Sequence, residues 1–516
     1  MKNFYYTLLL LLPGFMASCY DDKGNYDYHE LVQASISGID SVYTVNIQDQ
    51  LTISPVVKSD DPKREYDYFW MCYDKHDFRK KIDTLSLEKD LDYKVQLPLS
   101  TYQLIFAYRD RETAVTKYIY SNMSVESQYA RGWYVMKEKN GNADIDYFYN
   151  GTKSEDVLLE AHGEALSGSP RNLGYVDKYT WLDEEKGEME GGIKCFILSS
   201  DKEMRIVRIS DMKRLGDMSS LFYEETPSIN PQKWYTGSEE CGLINDGQLY
   251  TYSPYSGELG VAKLAYPKEG DYELSSILTK NGTMSPLLFD LKSGRFCTAA
   301  RNNAPILFFE NDEGSTHPLV HKDFKPVFAG FFDEGMWEGG KGFFVMENKT
   351  SHKRYIYYLD MNNLVSWNPE YLKNRITDIQ EIEDGSKLAQ ANCYGMNRKF
   401  KMLYFGTSDK LYYYDLAEKK ELEVLKEDGT SAIPAGENIA IIKHWILDYS
   451  DWQDPSVFEK VNKLAVVTTS GNSYKLYLFD TQANKVKNNP EVFEGSGNPT
   501  ELVYMSPHMG GIDICY

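Results

Sequence analysis

The chain has 516 residues, which is too many for one ordinary hydrophobic core, so two or more domains are expected. Hydrophobic residues make up 42% of the sequence, enough to fill packed cores, and 41 tyrosines make it unusually aromatic. A formal net charge of −21 repels polyanions at long range. Because the sequence shows no local basic patch, this charge argues against nucleic acid and against highly sulfated or uronic glycans as partners.

The chain begins with the pattern of an export signal. Lys2 supplies a positive start, and residues 7–16 form an apolar stretch that is too short to span a bilayer. Small residues at positions 17 and 18 directly before Cys19 resemble the lipobox of bacterial lipoproteins. The sequence therefore predicts a signal peptide over residues 1–18 and a lipid on Cys19. The alternative is an ordinary secretory signal followed by an accidental cysteine.

Residues 19–34 are short of apolar side chains and predict a flexible tether. Their opening, Cys-Tyr-Asp-Asp-Lys-Gly-Asn-Tyr-Asp-Tyr, resembles the mature N-terminus of the PKD-like family surface lipoproteins of Bacteroidetes. In that group, an acidic pair such as Asp21-Asp22 resembles the signal for export to the outer face of the outer membrane. The resemblance implies a lipid-anchored protein of the outer membrane that faces the cell exterior, and it carries no information about a ligand.

Residues 35–128 show short strands separated by turns, which predicts a β-sandwich of the immunoglobulin or PKD-like type. The stretch has a central Trp70 in the strand Tyr66–Tyr73. Cys72 is its single cysteine, so the inter-sheet disulfide of antibody domains cannot form there. The strand around Trp70, together with a later strand that runs into a turn at Asp110, resembles a PKD-type domain, and such domains usually act as spacers.

Residues 129–516 repeat an aromatic strand pair, which predicts a β-propeller of seven blades whose first and last strands meet in one blade. An irregular series of hairpins is the alternative. The repeated pairs join the following segments: 133–136 with 145–148, 195–198 with 204–207, 248–252 with 259–264, 286–290 with 294–296, 342–346 with 354–358, 402–405 with 410–415, and 464–467 with 475–480. The complete fold prediction is all-β, a sandwich followed by a propeller, with one short helical turn within 361–375.

The sequence carries no recognisable catalytic or metal motif, so we expect a protein that is not an enzyme and needs no cofactor or metal. His317 and His321 have a four-residue spacing, but Pro318 argues against a helical metal pair. Adjacent acids such as Glu239-Glu240 point to opposite faces of a strand and cannot clasp a glycosidic bond unaided. A catalytic pair assembled from different blades would escape such a search.

Two tryptophans are the best ligand-binding candidates. Trp337 lies near Asp333 and Glu334, and Trp452 lies near Asp451 and Asp454, in stretches that read as loops. Flat aromatic faces stack on pyranose rings while neighbouring polar groups bond the hydroxyls. Packing between blades is the competing interpretation; it is favoured for both tryptophans and more strongly for Trp181 and Trp445.

These observations favour a non-catalytic surface lipoprotein whose propeller binds a neutral polysaccharide or oligosaccharide, and the resemblance to the PKD-like lipoproteins implies that it serves a glycan-utilisation system. Its expected partners are the outer membrane, through the lipid on Cys19, a neutral glycan and an outer-membrane transporter complex, with no nucleic acid. A propeller lyase or hydrolase of glycans is the first alternative. A protein-interaction module that partners an outer-membrane transporter is the second.

Overall fold

The computed structural model describes residues 34–47, 49–184, 187–223, 228–237, 240–253, 263–281, 285–299, 304–332, 340–364, 372–450, 458–482 and 485–509. The chain divides into two compact units, Met1–Val125 and Glu126–Tyr516. Within the described ranges, no helix is both long enough and apolar enough to cross a membrane.

The first unit is a β-sandwich built on one five-stranded antiparallel sheet in the order β2-β9-β8-β5-β6, with the pairs β1-β4 and β3-β7 beside it. Its strands are β1 (Ala34–Ser37), β2 (Val42–Asn46), β3 (Gln50–Ile53), β4 (Val56–Ser59), β5 (Tyr66–Asp74), β6 (Asp83–Ser86), β7 (Leu91–Lys94), β8 (Ser100–Asp110) and β9 (Thr116–Glu126).

The core of the sandwich forms around Trp70, which is fully buried and packs on Phe106 with ring centroids 4.7 Å apart. Its indole nitrogen donates to the carbonyl of Lys89 at 3.0 Å, so the one polar atom of the ring is satisfied. Cys72 is buried and free, and burial raises the pKa of its thiol to about 12. Asp110 organises the β8–β9 turn by accepting backbone N–H bonds from the two residues at 112 and 113, both at 2.9 Å.

The second unit contains most of the strands and two short helices, α1 (Val157–His162) and α2 (Met218–Leu221). In chain order its strands are β10 (Gly132–Lys139), β11 (Asn142–Tyr149), β12 (Thr152–Ser154), β13 (Leu166–Ser167), β14 (Pro170–Asp183), β15 (Glu188–Ser200), β16 (Met204–Arg208), β17 (Arg214–Asp217), β18 (Pro231–Tyr235), β19 (Cys241–Asn245), β20 (Gln248–Tyr252), β21 (Leu287–Asp290), β22 (Arg295–Ala299), β23 (Ile306–Phe308), β24 (Phe324–Phe332), β25 (Lys341–Asn348), β26 (Arg354–Asp360), β27 (Ile376–Glu381), β28 (Cys393–Asn397), β29 (Met402–Thr407), β30 (Lys410–Asp415), β31 (Lys420–Glu423), β32 (Asn438–Ser450), β33 (Phe458–Ser470), β34 (Ser473–Gln482), β35 (Lys485–Val486), β36 (Glu491–Ser496) and β37 (Asn498–Met505).

Among the described residues these strands form seven antiparallel sheets, which we call blades one to seven. Blade one has the order β37-β10-β11-β12, with β13 also on β11, and blade two has the order β14-β15-β16-β17. Blades three and four are β18-β19-β20 and β21-β22-β23, and blade four gains an inner segment through the bridge between Thr279 and Leu287. Blades five and six are β24-β25-β26-β27 and β28-β29-β30-β31. Blade seven is β32-β33-β34, with β35 and β36 both on β34.

The blades are held together by an apolar cluster at each junction, from blades one and two round to blades seven and one. Successive residues on a strand point to opposite faces, so one strand serves two junctions. On β10, Tyr134 and Met136 pack toward blade two, whereas Trp133 and Val135 pack toward blade seven. This two-sided burial explains why the central strands are continuous apolar and aromatic runs, and it confirms the propeller prediction.

The ring is closed by β37, which pairs with β10 from Gly132 opposite Met505 to Glu138 opposite Asn498. The expected meeting of the first and last strands therefore occurs in blade one. A buried ion pair and a buried hydrogen bond stabilise the same junction. Lys137 on β10 lies 2.6 Å from Asp146 on β11, whose other oxygen accepts a 2.5 Å hydrogen bond from Tyr474 of blade seven.

Six of the seven predicted strand pairs are found, and most of the second segment of the third pair lies outside the described residues. Strand β20 pairs with the preceding strand β19, from Cys241 opposite Tyr252 to Asn245 opposite Gln248. Of the segment 259–264, only residues 263 and 264 are described; Leu264 bridges Phe222, and the backbone N–H of Ala265 donates to the carbonyl of Thr251 on β20 at 2.9 Å. The third pair therefore stays a prediction. The helical turn expected within 361–375 falls mostly on 365–371, outside the described residues.

Closure predicts that a small change on β37 destabilises the whole propeller. Leu502 is fully buried at the junction of blades seven and one, so Leu502→Ala should lower the free energy of unfolding by about 2–5 kcal/mol. Leu422 on the outer strand β31 is 51% exposed, and Leu422→Ala should change it by less than about 0.5 kcal/mol. Urea unfolding of both variants measures the difference, and equal losses would contradict the closing role of β37.

Candidate functional site

The inner strands of blades three to seven converge on a cavity of about 310 Å³. This volume lies at the lower end of the range for small-molecule sites, roughly 300–1,000 Å³. Strands β18, β24, β28 and β32 and the inner segment of blade four supply the lining residues: Gln232, Lys233, Ser276, Ile277, Leu278, Phe328, Ala329, Gly330, Phe331, Tyr394, Gly395, Met396, Arg398, Ile442, Lys443, His444, Trp445 and Ile446. We call this space the axial cavity.

A glycine allows two of these inner strands to approach closely. A Cβ atom at Gly395 on β28 would lie only 2.6 Å from Cγ2 of Ile442 on β32. Any larger residue at position 395 would push blades six and seven apart, so the glycine helps to set the width of the axial cavity.

Aromatic side chains form part of the wall. The rings of Phe328 and Tyr394 are stacked, with centroids 5.4 Å apart and planes inclined by 24°. The Tyr394 hydroxyl accepts a hydrogen bond from Arg354 at 3.0 Å, and burial raises the pKa of this hydroxyl to about 12. Half-buried Trp445 adds a third ring, which also packs against Tyr504 at 6.2 Å. These rings offer flat apolar surfaces beside polar groups.

The charged residues that line the axial cavity are Lys233, Arg398 and Lys443, and none of the described lining residues is a carboxylate. The carboxylate that pairs with Lys233 is Glu501 on β37, which accepts hydrogen bonds from the backbone N–H of Leu173 at 2.7 Å and from Lys233 at 2.9 Å. Burial by itself would raise the pKa of Glu501, but Lys233, Lys443 and the Leu173 bond outweigh it and lower that pKa.

Of the three cations that line the axial cavity, Lys443 has the fewest compensating contacts. It is half-buried, and none of the residues the structure describes makes a hydrogen bond or an ion pair with its ammonium group. Burial and the neighbouring charge of Lys233 lower the pKa of Lys443, while Glu501 opposes this shift. An uncompensated ammonium group in a partly enclosed space attracts negative charge.

His444 is held as a neutral ring. Its Nε2 lies 2.8 Å from the side-chain oxygen of Asn462, whereas its Nδ1 is buried with no hydrogen-bond partner in the described part of the chain. Burial lowers the pKa of His444 to about 4, and nearby Arg398 adds to the shift. The ring therefore contributes polarity, and not charge, to the cavity at neutral pH.

The structure does not describe the ligand-binding residues that the sequence predicted. Trp337, Asp333 and Glu334 fall within 333–339, and Trp452, Asp451 and Asp454 fall within 451–457, both outside the described residues. Cys19 also lies outside them. These assignments stay predictions.

Two other tryptophans are placed by the structure. Trp181 packs on the core between blades two and three, with the Lys213 ammonium 4.7 Å from its ring centre, which agrees with the favoured packing interpretation. Trp445 packs in the same way but also faces the axial cavity. The sequence signal for this site is a polar pair, Lys443-His444, within the apolar run of an inner strand.

The described residues contain no cluster of histidine, cysteine, aspartate and glutamate that could hold a metal ion. The two histidines with four-residue spacing have separate backbone partners. His317 lies 3.2 Å from the carbonyl of Thr377, and His321 lies 2.8 Å from that of Pro318.

Comparison with known proteins adds a family match in the first part of the chain. Residues 19–170 match the PKD-like family, so the PKD-like part of the predicted resemblance is confirmed over that stretch, which is less than a third of the sequence. No curated protein matches the chain. The fold and the cavity thus define an all-β protein with a PKD-like N-terminal part and a seven-bladed propeller.

Solved structures with a related outline are distant. A quinonprotein alcohol dehydrogenase-like protein from Bacteroides thetaiotaomicron is 12% identical, with coverage of 90% of this chain and 97% of that one and a TM-score of 0.38. The WD40 domain of SCAP from fission yeast is also 12% identical, with coverage of 63% and 83% and a TM-score of 0.34. The propeller architecture of this chain therefore stands on its own seven sheets and their closure.

The buried neutral ring of His444 predicts a pH-dependent stability. Because its folded pKa is about 4 and its ordinary value is 6.5, the unfolded chain binds the proton more tightly. The contribution of His444 to the free energy of unfolding is fully present above pH 6.5 and is lost as the pH falls toward 4. The loss is on the order of 3 kcal/mol at most. His444→Gln should flatten this part of the profile of melting temperature against pH, whereas His352→Gln, at an exposed position, should not. Identical profiles for wild type and His444→Gln would contradict the assignment.

Proposed function

We propose that this chain is a non-catalytic saccharide-binding lipoprotein of the cell surface. In this proposal, Cys19 carries the lipid, residues 19–34 form a tether, and the PKD-like unit is a spacer. The propeller holds a small saccharide, or the end of a longer one, in the axial cavity. The system it serves is glycan utilisation, beside an outer-membrane transporter.

The observation that carries the proposal is the mixed lining of the axial cavity. Phe328, Tyr394 and Trp445 offer aromatic faces, and Gln232 and Ser276 offer hydrogen-bonding groups within the same enclosed space. Aromatic stacking combined with a few convergent polar groups is how proteins hold sugar rings. A volume of about 310 Å³ suits a few sugar units and not a passing polymer.

The lining also favours binding over hydrolysis. A glycosidase of the usual kind needs two carboxyl groups on either side of the scissile bond. The described lining residues contain none, and Glu501 is already engaged by Lys233 and by the backbone of Leu173. A saccharide in the axial cavity would therefore be bound without being hydrolysed.

A binding experiment tests the site. Calorimetric titration with a panel of mono-, di- and trisaccharides should give binding that Tyr394→Ala weakens roughly tenfold or more, because a ring face is lost. Tyr394→Phe keeps the ring and should keep most of the affinity. Tyr120→Ala is a matched control, since Tyr120 is 59% exposed in the first unit.

Three outcomes would overturn the proposal. If no saccharide binds, the propeller does not serve this function. If Trp337→Ala and Trp452→Ala abolish binding while Tyr394→Ala does not, the ligand lies at those two tryptophans and not in the axial cavity. Release of reducing ends from any glycan would show that the propeller is an enzyme and not a binding protein.

The proposed localisation can be tested separately. Cys19→Ala should release the protein from the membrane fraction, because the thiol that carries the lipid is gone. Replacing Asp21 and Asp22 by alanine should leave the protein in the membrane but hide it from protease added to whole cells. Continued membrane partitioning of Cys19→Ala would contradict the anchor.

A further inference from the structure

We propose that the axial cavity recognises an anionic group on its ligand, a carboxylate or a sulfate on a small saccharide, and that Lys443 supplies the counter-charge. This inference rests on the proposed function and narrows it. It departs from the neutral ligand that the composition suggests, since the net charge of −21 is distributed over the whole chain and the cavity has its own local charge.

The first step is the arrangement of charges at the cavity. Lys233, Arg398 and Lys443 come from three different blades and line the same enclosed space. Lys233 has a carboxylate partner in Glu501 at 2.9 Å, and Arg398 donates to the carbonyl of Ile446 at 3.3 Å. Lys443 differs from both, because its ammonium group has neither a hydrogen bond nor an ion pair within the described ranges.

The second step is that both carboxylate oxygens of Glu501 already accept a hydrogen bond, and within the described ranges none joins Glu501 to Lys443. One of its carboxylate oxygens, Oε1, accepts from Lys233, and the other, Oε2, accepts from the backbone of Leu173. Glu501 therefore attracts Lys443 only at a distance. Burial and the like charge of Lys233 both act against the charged form of Lys443. A ligand anion would supply acceptors for the three N–H groups of this ammonium and relieve the repulsion between the lysines.

The third step is the position of Lys443 relative to an aromatic ring. Lys443 and Trp445 are two residues apart on β32, so both side chains point to the same face of the strand, and both line the cavity. A sugar ring against Trp445 would therefore present its substituents toward the ammonium group. Lysine and ring together match a saccharide with one anionic substituent better than they match a neutral one.

The experiment compares matched ligands on matched variants. Calorimetric titrations use glucuronic acid and galacturonic acid disaccharides, a sulfated disaccharide, and the corresponding neutral disaccharides. The wild type should bind one of the acidic ligands roughly tenfold or more tightly than its neutral counterpart, and this preference should shrink as salt is added. Carboxylate and sulfate are distinguished by which acidic ligand shows the preference.

Lys443→Met keeps the length of the side chain and removes its charge. It should abolish the preference for the acidic ligand and leave neutral binding within about twofold, since only the charged contact is lost. Lys460→Met removes a charge from the same blade outside the cavity, where Lys460 is 68% exposed and paired with Asp448, and it should change neither affinity. Melting temperatures of both variants show whether each is folded.

The outcomes separate this inference from the function on which it rests. Equal binding of acidic and neutral saccharides, unchanged by Lys443→Met, overturns the anionic preference and leaves saccharide binding intact. If inorganic sulfate binds, no saccharide binds, and Lys443→Met loses the sulfate, the anion site is supported and saccharide binding is overturned. Absence of all binding by a folded wild type overturns both.

Discussion

The pairing of β37 with β10 is the constraint on which the propeller depends. Every blade buries both faces of its central strands, so each needs a neighbour on either side. The last junction exists only because β37, from the far end of the described chain, supplies Leu502 and Tyr504 to the cluster that blade seven shares with blade one. A further tie across it is the hydrogen bond from Tyr504 to Glu459 at 2.7 Å. Without this strand, β10 would present an unpaired edge and an uncovered apolar face.

The same strand also links closure to the axial cavity. Glu501 on β37 bonds to the backbone of Leu173 in blade two and to Lys233 in blade three, so one carboxylate joins three blades. It forms an ion pair with Lys233, so the charge of Lys443 in blade seven is less compensated than that of Lys233. The electrostatics of the cavity are thus set by a residue that contributes mainly to the integrity of the ring. The cavity is a property of the closed propeller, since no single blade contains it.

The sequence predicted six strand pairs of the propeller that the structure shows. Continuous aromatic runs such as 402–405 and 410–415 mark strands that are buried on both faces, and a short turn leaves the neighbouring strand as the natural partner. The third pair stays a prediction, because residues 259–262 lie outside the described part of the chain; β20 itself pairs with the preceding strand β19. For Trp445 the sequence favours packing between blades. That assignment is correct against Tyr504 but incomplete, because the ring also meets the cavity.

The sequence by itself determined the all-β class, the sandwich with its single unpaired cysteine, the propeller and its closure. These follow from local alternation and from repeats, which are properties of neighbouring residues. Only the tertiary structure decided where a ligand-sized cavity lies and what charge it carries. Lys233, Arg398, Lys443 and Glu501 are far apart in the chain and are brought together by the inner strands of different blades. Net charge is a sum over all residues, whereas the potential in a cavity depends on charges within about 10 Å, so an acidic protein can hold a basic site.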